Sequence, residues 1–351
     1  MYTNIFHLSH IDLDGYGCQY LTRACFENLT CHNANYGPEV MVRLDEIIKT
    51  IEETIEAQNR QNTLVLITDL NLTQKEATKI QKETVRIGVK LQLLDHHATG
   101  ATVAEIFEWY ALDTSRCATL LTYEWLRSHF DFDSKGHYSS IVKAINAIDI
   151  WQEQDLFFEF GKVMLGMISG AREINRTLFP TEDRMLKFHL LDGANGLIGI
   201  FQAPIMLDDS LHTLKKQFFL NDSNNTLDNL VAHYVSKLLT LQRERLTIVY
   251  QGHKGVLGYN IGSSSIIGNA CMVMNDDYDF YMDVNYRGNF SLRSSNKMDV
   301  SKMAAHIGNG GGHPNASGGK IENYKDSFIY EEVRAFVQHY IDEKCSDSFV
   351  S

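Results

Sequence analysis

The sequence predicts an α/β protein: an N-terminal parallel sheet with helices on both faces, a helical connector, and a smaller C-terminal α/β domain. Three observations predict it. In the first part of the chain short apolar runs alternate with amphipathic helical stretches, the β-α-β order of a parallel sheet. Three of those apolar runs end abruptly in carboxylates and imidazoles. From Thr247 the character changes to short strand-like pieces mixed with two helices, followed by the richest glycine stretch in the chain. The expected domains are residues 1–180, 181–246 and 247–351.

Taken in order, residues 3–9 read as a strand. After Gly15-Tyr-Gly17, an amphipathic run from Cys18 to Leu29 is expected as a helix, with Asp14 as its cap or an acid near its start. A short strand is expected around Cys31–Tyr36, broken by Gly37-Pro38. Met41–Ala57 has helical spacing through Leu44, Ile47, Ile48, Ile51 and Ile55. A strand at 63–68, a helix at about 73–87 and a strand at 89–94 follow. Ser115–Phe130 and Tyr138–Ile150 read as helices, the second with Ile141, Ile145 and Ile148 on one face. Between Trp151 and about Asn225 the punctuation is weak, and no element is assigned. Leu227–Leu246 reads as one long helix. The last part is expected to hold strands at Thr247–Tyr250, Gly255–Tyr259, Phe280–Tyr286 and Phe290–Arg293, and helices at Ser265–Met274, Val300–Ile307 and Ser327–Lys344.

The composition is that of an ordinary globular chain, 44% apolar and 22% charged over 351 residues. No apolar run approaches the roughly 18 residues of a membrane span, and, without a basic region followed by an apolar segment near residue 1, no secretion signal is expected. Six cysteines are scattered without a CxxC pair, which argues against structural zinc and a disulfide framework and fits a reduced, cytoplasmic setting. A formal net charge of −12 disfavours a broad grip on long duplex DNA. It is compatible with a small anionic substrate held in a local basic pocket.

The chemistry is concentrated at the strand tips, where open α/β sheets bind ligands. The first apolar run leads into His10-Ile-Asp12-Leu-Asp14-Gly15, the second into Asp69, and the third into Asp95-His96-His97; Asp149 ends a predicted helix. These hard oxygen and imidazole donors suit Mn²⁺ or a similar ion better than tetrahedral structural zinc. Taken singly, an Asp at a strand end is usually a cap or turn residue. His-x-Asp-x-Asp-Gly also resembles part of a calcium loop, but lacks its later acidic positions. Three clusters on successive strands of one sheet favour a shared site, and several carboxylates converging there call for two cations. Asp155 is the alternative to Asp149. In the last domain, Gly310-Gly311-Gly312-His313 can bring backbone N–H groups close to an anion, and Arg293 offers a guanidinium fork for phosphate. The competing reading is a surface loop, with His306 and Arg287 structural or at the rim.

The ordered set His10-x-Asp12-x-Asp14-Gly, Asp69, Asp95-His96-His97, Asp149 and Gly310-Gly-Gly-His313 resembles the DHH phosphoesterases with a C-terminal DHHA1 domain. Within them it is similar to the bacterial oligoribonuclease (nano-RNase) branch, through the His-x-Asp-x-Asp-Gly start and the Ile-Thr-Asp69-Leu motif. The resemblance implies a catalytic DHH domain, a helical connector and a substrate-binding DHHA1 domain. It implies two Mn²⁺ ions, with Co²⁺ or Mg²⁺ as substitutes. His10, Asp12 and Asp69 would hold one, and Asp14, Asp69, His96 and Asp149 the other. Asp95 would orient its neighbours and His97 would face the scissile phosphate, either bonding a phosphate oxygen or helping the leaving group. Arg293 and Gly310–His313 would grip a terminal phosphate or nucleotide. The implied activity is a phosphodiesterase hydrolysing short oligoribonucleotides or linear dinucleotides to 5′-mononucleotides, as a 3′-5′ exoribonuclease does, by two-metal activation of water. The alternatives are a 3′-phosphatase on adenosine 3′,5′-bisphosphate, a cyclic dinucleotide phosphodiesterase, and a nucleotide sensor without catalysis. A manganese pyrophosphatase would share the first motifs but not Gly310–His313. The resemblance also allows a homodimer.

Overall fold

The computed structural model describes residues 2–220 and 224–347. The chain divides into two compact units, Met1–Ala171 with Lys187–Leu211, and Arg172–Leu186 with His212–Ser351.

The first unit opens as β1 (Asn4–Ser9), α1 (Leu13–Cys25), β2 (Leu29–Asn33), α2 (Pro38–Thr54), β3 (Thr63–Thr68), α3 (Gln74–Ile87) and β4 (Lys90–Asp95). It continues with α4 (Ala101–Ala104), β5 (Tyr110–Leu112), α5 (Ala118–His129), α6 (Ser139–Asp149) and α7 (Phe158–Ser169). The strands form one sheet in the order β2-β1-β3-β4-β5, with every pairing parallel. All six residues of β3 are buried, which explains its unbroken apolar sequence: a parallel strand covered on both faces has no polar side to show. One face packs Val65, Ile67 and Leu93 against Leu44, Ile47 and Ile51 of α2 and Ile80 of α3. The other buries Ile5, Leu64, Leu66 and Leu94, on the side of α1 and α5. Helix α3 has a Thr73–Glu76 capping box at one end and left-handed Gly88 at the other.

The strand order places a topological switch between β1 and β3, because the chain first steps outward to β2 and then returns across β1. Ser9 pairs with Thr68 and Thr68 with Leu94, so the carboxyl tips of β1, β3 and β4 are level.

Helix α1 starts at Leu13, earlier than the run from Cys18 suggested, and Asp12 is its cap, accepting from Gly15 N–H; Asp14 is an acid within its first turn. The glycines that read as a break lie inside the helix, where they permit close packing. A Cβ on Gly15 would come within 2.4 Å of the His10 carbonyl oxygen, and one on Gly17 within 2.4 Å of Thr119 Oγ1.

The stretch left unassigned holds three helices, α7 followed by α8 (Pro180–Leu197) and α9 (Ala203–Phe219). The long helix expected over Leu227–Leu246 is divided at Gln242 into α10 (Leu227–Leu241) and α11 (Arg243–Leu246). The second unit then builds β6 (Thr247–Tyr250), β7 (His253–Tyr259), α12 (Ser264–Met274), β8 (Phe280–Val284), β9 (Asn289–Arg293), α13 (Val300–Gly308), β10 (Gly311–His313), β11 (Ala316–Lys320) and α14 (Tyr330–Asp347). Its sheet runs β10-β11-β9-β8-β7-β6, and only β7 and β8 pair in parallel. Among the described residues the six cysteines form no disulfide. Among the described residues no helix is long and apolar enough to cross a membrane.

Candidate active site

Three strand tips and one helix end carry the predicted residues of the first unit. The tip of β1 delivers His10 and then Asp12 and Asp14, that of β3 delivers Asp69, and β4 ends in Asp95 with His96 and His97 beyond it; Asp149 closes α6. Asp69 occupies the left-handed region (φ 55°), which Asp enters more readily than bulkier residues but still at some expense. Its N–H donates to Leu94 O at 3.1 Å, tying the tip of β3 to that of β4.

The buried Asp69 carboxylate stands between two groups of donors. On one side His10 Nδ1 lies 3.6 Å from Asp69 Oδ2 and 2.9 Å from Asp12 Oδ2. On the other, His96 Nε2 lies 3.4 Å from Asp69 Oδ1, 3.7 Å from Asp14 Oδ2 and 3.6 Å from Asp149 Oδ2. Neighbouring ligands on an octahedral ion with bonds of about 2.1 Å sit roughly 3 Å apart, so His10, Asp12 and Asp69 are spaced to close on one cation with little movement. The second set gathers its carboxylates around His96, with His97 also close to Asp69 and His96. Asp155, the alternative to Asp149, instead accepts from Phe157 N–H at 2.8 Å within its own loop.

The electrostatics point the same way. Burial, then the neighbouring Asp14, holds Asp69 well above the ordinary carboxylate range. Burial also raises Asp149, with Asp14 next, and raises Asp14, with Asp12 next. Burial works against charge on His10, but Asp12 and Asp69 overcome it and push the imidazole up to about 10. Asp12 is drawn down to about 2 against its burial, chiefly by His10. A cluster in which buried, mutually close Asp14, Asp69 and Asp149 resist ionisation is one that cations would complete. One of its atoms, Asp69 Oδ2, is buried without a hydrogen-bond partner. Together with the oxygen and imidazole donor set, this orphaned atom fits divalent cations.

Asp14 has a second tie. Its Oδ2 accepts Ala118 N–H and its Oδ1 accepts Thr119 N–H, both at 2.7 Å, so it sits on the N-terminus of α5. Cys117 Sγ also lies close to Asp14 and Asp149. Burial holds that thiol well above its ordinary value, and its sulfur accepts Leu120 N–H as the helix cap.

His97 stands at the end of a hydrogen-bonded chain. Tyr110 OH donates to Asp95 Oδ2 at 2.6 Å, and His97 Nδ1–H donates to Asp95 Oδ1 at 2.7 Å. Its Nε2 faces Tyr36 OH at 2.9 Å. The bond to Asp95 raises the His97 pKa against the opposing effect of burial. Tyr36 also lays its ring against His10, with centroids 4.3 Å apart. Neither tyrosine was singled out from the sequence. Tyr36 could have been, since it lies just beyond β2, the fourth strand of the sheet to reach this edge. Tyr110 leaves no comparable signal.

In the second unit, the stretch read as a glycine loop is an edge hairpin, β10 against β11. Arg293 pairs with Ala316 and Ala316 with His313, so Arg293 and His313 share one face two strands apart, roughly 10 Å by strand spacing. Arg293 donates from Nη1 to Leu292 O at 2.6 Å and from Nη2 to Ser265 Oγ. The glycines differ. A Cβ on Gly310 would meet Gly318 O at 2.0 Å, and Gly312, at φ 146°, would meet Ala316 O at 2.6 Å; Gly311 faces open space. Packing therefore accounts for Gly310 and Gly312, leaving Gly311 and exposed His313 as the accessible part of the motif. His306 is structural, bonded to Tyr250 OH and Lys344 O.

Comparison with known proteins follows this division. A DHHA1 domain matches residues 264–346. The chain is 40% identical over 343 residues to a 3′,5′-cyclic-nucleotide phosphodiesterase of Helicobacter pylori, covering 95% of this chain and 97% of that protein. It is 26% identical over 348 residues to oligoribonuclease NrnB of Bacillus subtilis, covering 94% of this chain and 76% of that one. The crystal structure of an uncharacterized protein from H. pylori G27 matches with a TM-score of 0.89 at 39% identity, over 97% of this chain and 99% of the other. With motifs, fold and near-full-length similarity in agreement, the chain belongs to the DHH/DHHA1 family of phosphoesterases.

Proposed function

We propose that this phosphoesterase is a Mn²⁺-dependent phosphodiesterase that hydrolyses short oligoribonucleotides or linear dinucleotides to 5′-mononucleotides. The observation that carries the reading is the placement of Asp69 between two sets of donors, His10 with Asp12, and Asp14 with His96 and Asp149. These sets would hold one divalent cation each, with Asp69 common to both. Bound there, such a pair supplies an activated water and offsets charge building up at phosphorus.

The chain's own groups do the positioning. Asp95 holds His97 with its Nδ1 proton turned inward, which leaves Nε2 to meet the substrate. As the P–O3′ bond breaks, His97 is placed to donate from Nε2 to the phosphate or to the departing 3′-oxygen, with Tyr36 OH keeping the ring in line. In the second unit, Arg293 and the Gly310–His313 edge would hold a terminal phosphate by charge and backbone N–H groups.

A second reading has a specific observation in its favour. The Helicobacter relative, 40% identical, is named for 3′,5′-cyclic nucleotides, which carry the same phosphodiester in a ring. Opening such a ring needs the same two sets of donors. The test is a product-resolved panel of dinucleotide, pentanucleotide, 3′,5′-cyclic AMP, cyclic dinucleotide and adenosine 3′,5′-bisphosphate, compared by kcat/KM with and without Mn²⁺. A dinucleotide preference supports the first reading and a cyclic-AMP preference the second. If no phosphodiester is hydrolysed at full metal loading, both readings fail.

A further inference from the structure

Beside the carboxylate cluster, the first unit holds a small cavity of about 220 Å³ lined by both acidic and apolar side chains. Asp12, Asp14 and Asp149 line it together with Leu13, Ile145, Ile148, Leu165 and Trp151. Pockets for drug-sized ligands run to about 300–1,000 Å³, so this one takes a single ring system rather than a whole dinucleotide. Among the described residues its lining contains no lysine or arginine, and three of its members are carboxylates. With the carboxylates committed to cations and to the phosphate those would attract, the apolar lining is left for a flat, uncharged group attached to that phosphate.

Trp151 is unusual on two counts. Its side chain is large and apolar, yet the residue is 60% exposed. Its backbone is at φ 55°, a conformation that a bulky residue adopts only under constraint. The neighbouring loop supplies that constraint. Gln152 N–H donates to Ala147 O at 2.7 Å, and Asp155 N–H donates to Gln152 O at 2.9 Å. The indole is braced as well: its Nε1 donates to Glu153 Oε1 at 2.7 Å, and its ring meets Phe158 edge-on at 5.3 Å. Local strain and two braces thus hold an aromatic face in the open beside the candidate site. A core position would not need that arrangement, and an ordinary surface position would not hold it still.

We infer that Trp151 is the stacking platform for the nucleobase of the substrate nucleotide whose phosphate meets the carboxylate cluster. The inference rests on the phosphodiesterase reading and adds to it a base-recognition subsite, with Leu165 lining the same cavity. Stacking on an indole is tolerant of base identity, because every base has a π face. The subsite therefore demands a base without dictating which one.

The test compares a diribonucleotide with its analogue lacking the base beside the scissile phosphate, using the full-length Mn²⁺-loaded enzyme. In Trp151→Ala the ratio of kcat/KM for the base-bearing over the abasic substrate should fall about 5- to 150-fold, the range for loss of one base–aromatic stack. Trp151→Phe should recover most of the ratio. Leu165→Glu, on a residue 40% exposed and so a mild risk to folding, should lower the same ratio. A second readout needs no turnover. 5′-AMP should quench tryptophan emission where ribose 5-phosphate does not, and Trp151→Ala should abolish the difference. An unchanged ratio, or a base-dependent quench that survives Trp151→Ala, overturns the platform. A wild-type enzyme that cleaves nothing overturns the phosphodiesterase reading instead, while a base-dependent quench lost in Trp151→Ala still supports the platform.

Discussion

Asp283→Asn should make the second unit more stable above neutral pH, by an amount that the structure lets one estimate. Asp283 lies on β8, is 7% exposed, and accepts Ile261 N–H through Oδ1 at 3.1 Å. Burial pushes its carboxyl up to about 7 from the ordinary 3.8, against the pull of that N–H. The shift is about 3 units at about 1.4 kcal/mol each, or roughly 4 kcal/mol. Because the folded chain holds this proton more tightly than the unfolded one, the contribution is complete below pH 4 and lost as pH rises through 7. Asparagine keeps an oxygen for Ile261 and cannot ionise. Urea denaturation of both proteins should therefore give similar stabilities near pH 4 and an advantage for the variant of about 3–4 kcal/mol at pH 8.5. A difference that stays constant with pH, or one that favours the wild type at high pH, would refute the reasoning.

Three further substitutions test the site. Asp69→Ala removes the carboxylate common to both sets of donors, so bound Mn²⁺ by calorimetry and metal-dependent turnover should both be lost; near-normal turnover would contradict its shared role. His313→Ala should weaken nucleotide binding several-fold with metal content intact, and loss of bound metal instead would mean that the hairpin has been misread. Tyr36→Phe keeps the ring against His10 and deletes the hydroxyl on His97. Losing one hydrogen bond of about 1–1.5 kcal/mol should lower kcat roughly tenfold while changing KM little, and an unaltered kcat would remove Tyr36 from the mechanism.

What the sequence disclosed depended on which physical signals are local. The parallel sheet was legible because strands buried on both faces must be apolar throughout, as Thr63–Thr68 is. The convergence of His10, Asp69 and His96 followed from the rule that sites gather at strand tips beside a switch point. The start of α1 was misplaced because Gly15 and Gly17 look like breakers, whereas their function is to let the helix approach His10 and Thr119. The hairpin of β10 and β11 was missed because Gly310, Gly311 and Gly312 carry no side-chain alternation from which a strand could be read. Helices α8 and α9 escaped assignment for a different reason: their apolar positions are not confined to one stripe. Residues such as Met185 in α8 and Ile205 and Met206 in α9 are exposed, which blurs the helical period. Tyr36 and Trp151 depend on tertiary position and, for Trp151, on a backbone conformation that residue identity does not reveal.

The carboxylates of the site are not equivalent as probes. Asp14 accepts two backbone N–H groups from α5, so it is part of the folding of that helix as well as of the candidate cation site. Removing it would leave the first N–H groups of α5 without a partner in a fully buried place, which costs on the order of 1–3 kcal/mol for each. A loss of activity in an Asp14 variant would thus not tell a missing ligand from a shifted helix. Asp12 is likewise committed, through its bond to Gly15 N–H at the start of α1. Asp69 differs: its N–H serves the sheet, but Oδ2 of its side chain has no hydrogen-bond partner and stands 3.6 Å from His10 Nδ1, which is itself closer to Asp12. A buried polar atom left open in the free protein is a standing penalty, and the fold has to be stable enough to carry it. The penalty makes sense if something binds there, which is why Asp69 is the position where structure and chemistry can be separated by one substitution.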